Sequence, residues 1–132
     1  MTKAVVTGAS SGIGQAITQR LLDLGYEVIG ISRSISNEQF HHANFQAIKS
    51  DLSNEKETLK LCGTLKKESV FILINAAGFG RFEPHEELNA RTITSMTFLN
   101  LTAAMLLTNA LLRSLKSNDG YLINISSIEA LR

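Results

Sequence analysis

Lys3 to Thr7 carries two adjacent valines and runs directly into Thr7-Gly8-Ala9-Ser10-Ser11-Gly12-Ile13-Gly14, after which apolar residues recur at helical spacing. That order predicts a short buried strand, a glycine-bearing turn and the first turn of a helix. Glycine at 8 and 12 permits a tight turn and lets backbone amides approach a pyrophosphate, while glycine at 14 lets the helix lie close to the sheet. A helix N-terminus presents unpaired N–H groups and the positive end of its dipole, so a turn of this kind can receive an anion. Glycines that only make a turn are the competing reading.

The rest of the chain extends the pattern. Ile13, Ala16, Ile17, Leu21 and Leu24 mark a helix stopped by Gly25, and Tyr26 to Ile31 reads as a second buried strand. Ser34 to Ala43 is polar and without period; Phe45 to Ile48 is a third strand. Ser53 is expected to cap a helix over Lys56 to Lys67, with Leu59, Cys62 and Leu65 on one face. Val70 to Ile74, five apolar residues in a row, is a strand covered on both faces. Gly78, Gly80 and Pro84 mark a loop, Glu86 to Leu88 a turn of helix, Asn89 to Lys116 a long helix and Tyr121 to Ile125 a fifth strand. Strands separated by helical crossovers imply an α/β fold with a doubly wound parallel sheet. With a dinucleotide-type glycine turn after its first strand, the sheet is read as three-layered, of about five strands in order 3-2-1-4-5. At 132 residues the chain has room for one core, so residues 1–132 are read as a single domain.

Composition removes several functions from consideration. Thirteen basic against 12 acidic side chains leave a net charge of +1, which offers no field to nucleic acid or to an anionic membrane. One cysteine, Cys62, forms no internal disulfide and suits a cytoplasmic location; it reads as a buried helix side chain. Met1 to Thr7 lacks the character of a signal peptide. Phe98 to Leu112, the most apolar long segment, falls short of the ~20 residues that cross a bilayer and is expected to be a buried helix. His41, His42 and His85 have no metal-ligand spacing, so no metal is expected. Glu83, Glu86 and Glu87 read as a solvated loop face.

The spacing Gly-x-x-x-Gly-x-Gly differs from the Gly-x-Gly-x-x-Gly of other dinucleotide-binding folds. It resembles that of the short-chain dehydrogenase/reductase family, whose further marks recur in order. Asp51 with Leu52 after the third strand matches the acidic residue that in the family bonds the adenine amino group, although a helix-entry aspartate would look the same. Asn75-Ala76-Ala77-Gly78 is similar to the family's Asn-Asn-Ala-Gly, with Ala76 in place of the second asparagine. Asn100, in Phe98-Leu99-Asn100-Leu101, matches the helix asparagine that supports a proton-relay water; an asparagine amid apolar neighbours needs a hydrogen bond, and its role could equally be structural. Ser127, at the end of Gly120-Tyr121-Leu122-Ile123-Asn124-Ile125-Ser126-Ser127, matches the serine that polarises the substrate carbonyl, or is a strand-end serine bonding its own turn.

The resemblance implies hydride transfer between a nicotinamide cofactor and a small alcohol or carbonyl. It places Gly8, Ser10, Ser11, Gly12, Ile13, Gly14, Asp51, Leu52, Asn75, Ala76, Ala77 and Gly78 at the cofactor and gives Asn100 and Ser127 to catalysis. Ser32 and Arg33, at the end of the second strand, point to NADP rather than NAD. A carboxylate at 32 would bind the ribose hydroxyls and repel a 2'-phosphate; Ser32 removes the repulsion and Arg33 can pair with the phosphate, although a solvated surface arginine would look the same. The family's Tyr-x-x-x-Lys pair is not among these residues: Tyr26 and Tyr121, the two tyrosines, are followed four positions on by Gly30 and Ile125. The 132 residues alone are therefore expected to be inactive, and a non-catalytic nucleotide-binding or assembly module is the alternative. A homo-oligomer is expected, with no nucleic-acid or membrane partner.

Overall fold

The computed structural model describes residues 2–78, 86 and 88–125. Strands β1 (Lys3–Thr7), β2 (Glu27–Ser32), β3 (Phe45–Lys49), β4 (Ile72–Asn75) and β5 (Tyr121–Asn124) form one parallel sheet in the order β3-β2-β1-β4-β5. This is the expected open, doubly wound α/β sheet; β1 has the expected bounds and the ends of the other strands differ by at most two residues from the sequence reading. β1 pairs with β2 on one side and β4 on the other, Val5 facing both Ile29 and Leu73.

Strand side chains alternate between faces, and so divide the core in two. Val5, Ile29, Ile31 and Leu73 pack against helix α2 (Glu55–Leu65) and helix α4 (Ala103–Ser117). Ala4, Val6, Val28, Ile72 and Ile74 share the opposite face with Leu22 of helix α1 (Gly12–Asp23) and with Ile35, Phe40 and Phe45.

The helices form where expected, but three of their details differ. In α1 the buried positions are Gly14, Thr18 and Leu22, while Ile13 and Leu24 are exposed. Thr18 Oγ1 donates to the Gly14 carbonyl at 2.8 Å, which satisfies a hydroxyl that apolarity alone would have kept out of the core. The α2 cap is Asn54, whose Oδ1 accepts from Glu57 N at 3.0 Å; Ser53 is instead drawn to Asp51, its N and Oγ donating to Oδ1 at 2.9 and 2.6 Å. The buried α2 face is Thr58, Leu61, Cys62 and Leu65, an i, i+3, i+4, i+7 set, so Leu59 lies outside it, exposed. Burial pushes the Cys62 thiol above its ordinary pKa, opposed by the smaller influence of Lys66.

The long helix is divided. Helix α3 (Ala90–Thr97), capped by Asn89 through Thr92 N, continues into a π-helical turn at Phe98–Thr102 and then into α4. Together they make a 28-residue helix, Ala90–Ser117, long and apolar enough by length and composition to cross a membrane, which corrects the shorter estimate from Phe98 to Leu112. Nor is it a wholly buried helix. Ala103, Leu107, Leu111 and Leu115 pack on the sheet, whereas Leu101, Met105 and Leu112 are exposed.

Candidate functional site

Strand order reverses beside β1, where β2 lies to one side and β4 to the other, and parallel sheets open a crevice at the carboxyl ends of such strands. A cleft of about 850 Å³ lies there. Its walls bring together the loop from β1 to α1, the end of β2, the turn after β3, the loop after β4, and Ser95 and Leu99 of the long helix.

The β1–α1 loop is fixed by backbone contacts that admit few other residues. Gly8 N donates to Ile31 O at 2.9 Å, and Gly8 has φ +67°, a conformation that L side chains disfavour. A Cβ on Gly14 would sit 2.0 Å from the Gly8 carbonyl oxygen, so only glycine lets α1 begin this close to the strand. Ser11 is the α1 N-cap but its side chain makes no capping bond, and the first turn holds no acidic residue. The first amides of α1 therefore lack both an intrahelical acceptor and a side-chain substitute. With Ser11, Gly12, Ile13 and Gly14 all lining the cleft, its chemistry fits a bound anion.

Two further contacts set the shape of the site. Thr7 Oγ1 accepts from the amides of Ala76 and Ala77, each at 3.0 Å, tying the loop after β4 to the end of β1. Because these bonds use backbone N–H groups, alanine at 76 leaves the loop in place. Across the cleft, Ser32 Oγ donates to Ser10 Oγ at 2.8 Å, and Gln39 Nε2 donates to the Ser10 carbonyl at 2.9 Å. Arg33 is exposed, lines the cleft and makes no ion pair among the described residues.

Gly8, Ser10, Ser11, Gly12, Ile13, Gly14, Ser32, Arg33, Asp51, Leu52, Ala76, Ala77 and Gly78 all line this one cleft, although they come from four separate stretches of sequence. Asn75 does not. It is buried at the end of β4, its Nδ2 donating to Asn124 Oδ1 at 2.9 Å, while its own Oδ1 is buried without a partner. Asn100 lies in the π turn and is exposed, so its apolar sequence neighbours do not bury it. Its Oδ1 occupies the space beside Gly78, 2.9 Å from where a Cβ would stand. Ser127 lies outside the described residues, as does Glu87 of the turn expected over Glu86 to Leu88.

Thr7, Gln39 and Ser50 escaped the sequence reading as site residues. Ser50 lines the cleft just before Asp51, and its Oγ is buried without a hydrogen-bond partner. Thr7 could have been found, since a buried threonine at a strand end must bond something. Gln39 gave no local signal, because its partner is 29 positions away.

The family model for short chain dehydrogenases matches residues 2–132. Dehydrogenase/reductase SDR family member 11 of Gallus gallus is 34% identical over 139 residues, spanning 95% of this chain and 54% of that protein. A probable NADP-dependent dehydrogenase of Haemophilus influenzae is 32% identical over 135 residues, spanning 96% and 54%. Among solved structures, a short-chain dehydrogenase from Sphingobium yanoikuyae in complex with NADPH superposes with a TM-score of 0.89 at 25% identity, over 99% of this chain and 55% of that one. A 4-hydroxyisoleucine dehydrogenase complexed with NADH gives 0.85 at 29%, over 100% and 58%. The chain thus spans about half the length of the curated relatives it matches.

Proposed function

Because the chain belongs to the short-chain dehydrogenase family, we propose that it is the dinucleotide-binding part of an NADP(H)-dependent oxidoreductase acting on an alcohol or carbonyl. The observation that carries this reading is the uncapped start of α1, held by Gly8 and Gly14 at the mouth of a cleft that also holds Ser32 and Arg33. The nicotinamide, when bound, supplies or accepts the hydride.

The chain's own residues bind and orient. Amides at the start of α1 receive the pyrophosphate, where the dipole favours negative charge. Asp51, its carboxylate fixed by Ser53, borders the adenine together with Leu52. Asn75 acts from behind the lining by joining β4 to β5, which steadies the loop from Ala76 to Gly78. Asn100 and Ser127 are assigned to proton and substrate positioning by family resemblance.

The 2'-phosphate form is preferred because the end of β2 carries a cation and no carboxylate. A charge-assisted bond from Arg33 contributes roughly 1.5–3 kcal/mol, or about 10- to 150-fold in affinity. Calorimetric titration with NADPH and NADH tests this: NADPH should bind more tightly, and Arg33→Ala should remove most of the difference. Equal affinity for the two cofactors in the unsubstituted protein would overturn the preference. A cytoplasmic location and a homo-oligomeric state belong to the same proposal; sparse cysteine usage, one residue in the sequence, supports the former and the exposed apolar residues of α4 and β5 the latter.

A further inference from the structure

We propose that Gln39 is a positioning residue for recognition of the 2'-phosphate, an inference that rests on the NADP preference argued above. Gln39 belongs to the connection between β2 and β3, and this connection is anchored on both sides of it. Ile35 and Phe40 are sunk in the core on the α1 face, Phe40 stacking obliquely on Phe45 with ring centroids 4.6 Å apart. Asn37 Oδ1 accepts the Ala47 amide at 2.8 Å, closing the connection onto β3. Held between these points, the half-buried Gln39 side chain reaches the Ser10 carbonyl at 2.9 Å.

Ser10 is consequently fixed through its backbone by Gln39 and through its side chain by Ser32, whose Oγ also accepts the Ser34 amide at 3.2 Å. Two hydroxyls that share one hydrogen bond retain one O–H proton for an incoming acceptor. With Ser32 as the donor, that proton is on Ser10, in the wall of the cleft that Arg33, next in sequence to Ser32, also lines. A dianionic phosphate oxygen accepts such a bond about twice as strongly as the uncharged ribose hydroxyl that NAD presents there. The pyrophosphate is met instead by the amides at Gly12 to Gly14, whose placement depends on the close approach of Gly14 to Gly8. Loss of the Gln39 bond therefore loosens Ser10 and falls mainly on the 2'-phosphate.

The test is calorimetric titration of the purified protein and of Gln39→Met, Ser10→Ala and the double variant with NADPH and NADH, with thermal melts to confirm folding. Methionine keeps the length of the side chain and removes the donor. Gln39→Met should weaken NADPH about 3- to 10-fold, the worth of one net hydrogen bond, and NADH less than about 2-fold. If Gln39 acts through Ser10, adding Gln39→Met to Ser10→Ala should change the NADPH-to-NADH ratio little further. An unchanged ratio in Gln39→Met, equal weakening of both cofactors, or full additivity in the double variant overturns the role of Gln39. Absence of NADPH preference in the unsubstituted protein is a separate result: it overturns the NADP reading and this inference with it.

Discussion

β4 and β5 spell Ile-Leu-Ile-Asn and Tyr-Leu-Ile-Asn and lie side by side in register, Leu73 against Leu122 and Asn75 against Asn124. Every residue of β4 is buried and every residue of β5 is exposed. Leu73 is 0% exposed and Leu122 43%. Since three of the four residues are identical, the difference is not written in the strands. β4 has a strand on each side and core on both faces, with Leu107, Leu111 and Leu115 of α4 over Leu73. β5 is the edge of the sheet among the described residues, and neither core cluster includes its side chains. Burial thus belongs to the place of a strand in the sheet, which is set by the crossovers.

The widest separation between the two strands should appear at their matched leucines. Leu73→Ala removes a side chain surrounded by Val5, Val70 and α4, and leaves a cavity; it should cost about 2–5 kcal/mol. Leu122→Ala removes a half-exposed group and should cost less than about 1 kcal/mol. Urea denaturation of the two variants measures both. Similar losses would mean that β5 is packed as firmly as β4, contrary to its exposure.

The matched asparagines should break that rule. Asn124 is exposed, yet its Oδ1 accepts the Asn75 Nδ2 donor at 2.9 Å, and Asn75 already carries one buried oxygen without a partner. Asn124→Ala would leave a second polar atom of Asn75 unsatisfied, at a cost of about 1–3 kcal/mol, more than its leucine neighbour in the same exposed strand. The same denaturation series decides it: a loss no greater than that of Leu122→Ala would show that the asparagine pair does not hold the strands together.

How much of this was legible follows from the range of each interaction. The doubly wound parallel sheet was, because helical crossovers between strands constrain it strongly, whereas its order came with the dinucleotide-type reading of the glycine turn after β1, since crossovers alone also serve the order 2-1-3-4-5. So was the gathering of Gly8, Ser32, Asp51 and Ala76 at one end, since all follow parallel strands. The π turn at Phe98–Thr102 was not, because no proline or glycine marks it and the apolar spacing runs on through it. Ser53 and Asn54 are both good caps, and only the capture of Ser53 by Asp51 decides between them. Ile13 and Leu24 misled because apolar spacing does not distinguish the core face of α1 from the face turned to the cleft or to solvent. Gln39 and Ser10 are joined only by the fold.

The smallest effect on stability, and a direct test of what the exposed strand does, comes from placing a charge on it. Tyr121, Leu122 and Ile123 leave apolar surface exposed at what is, among the described residues, the edge of the sheet, and Leu101, Met105 and Leu112 do the same along the outer face of the long helix. Either surface could be removed from water by a second copy of the chain, through strand pairing at β5 or helix packing. Light scattering over a dilution series should show association at micromolar concentration. Ile123→Lys obstructs the strand edge and Met105→Glu obstructs the helix face, while each side chain is exposed enough that the monomer's stability should change by no more than about 0.5 kcal/mol. Association lost in Ile123→Lys and kept in Met105→Glu assigns it to the strand; the reverse assigns it to the helix. A monodisperse monomer at every concentration would show that β5 is an edge that tolerates its exposure, and would remove the homo-oligomeric part of the proposed function.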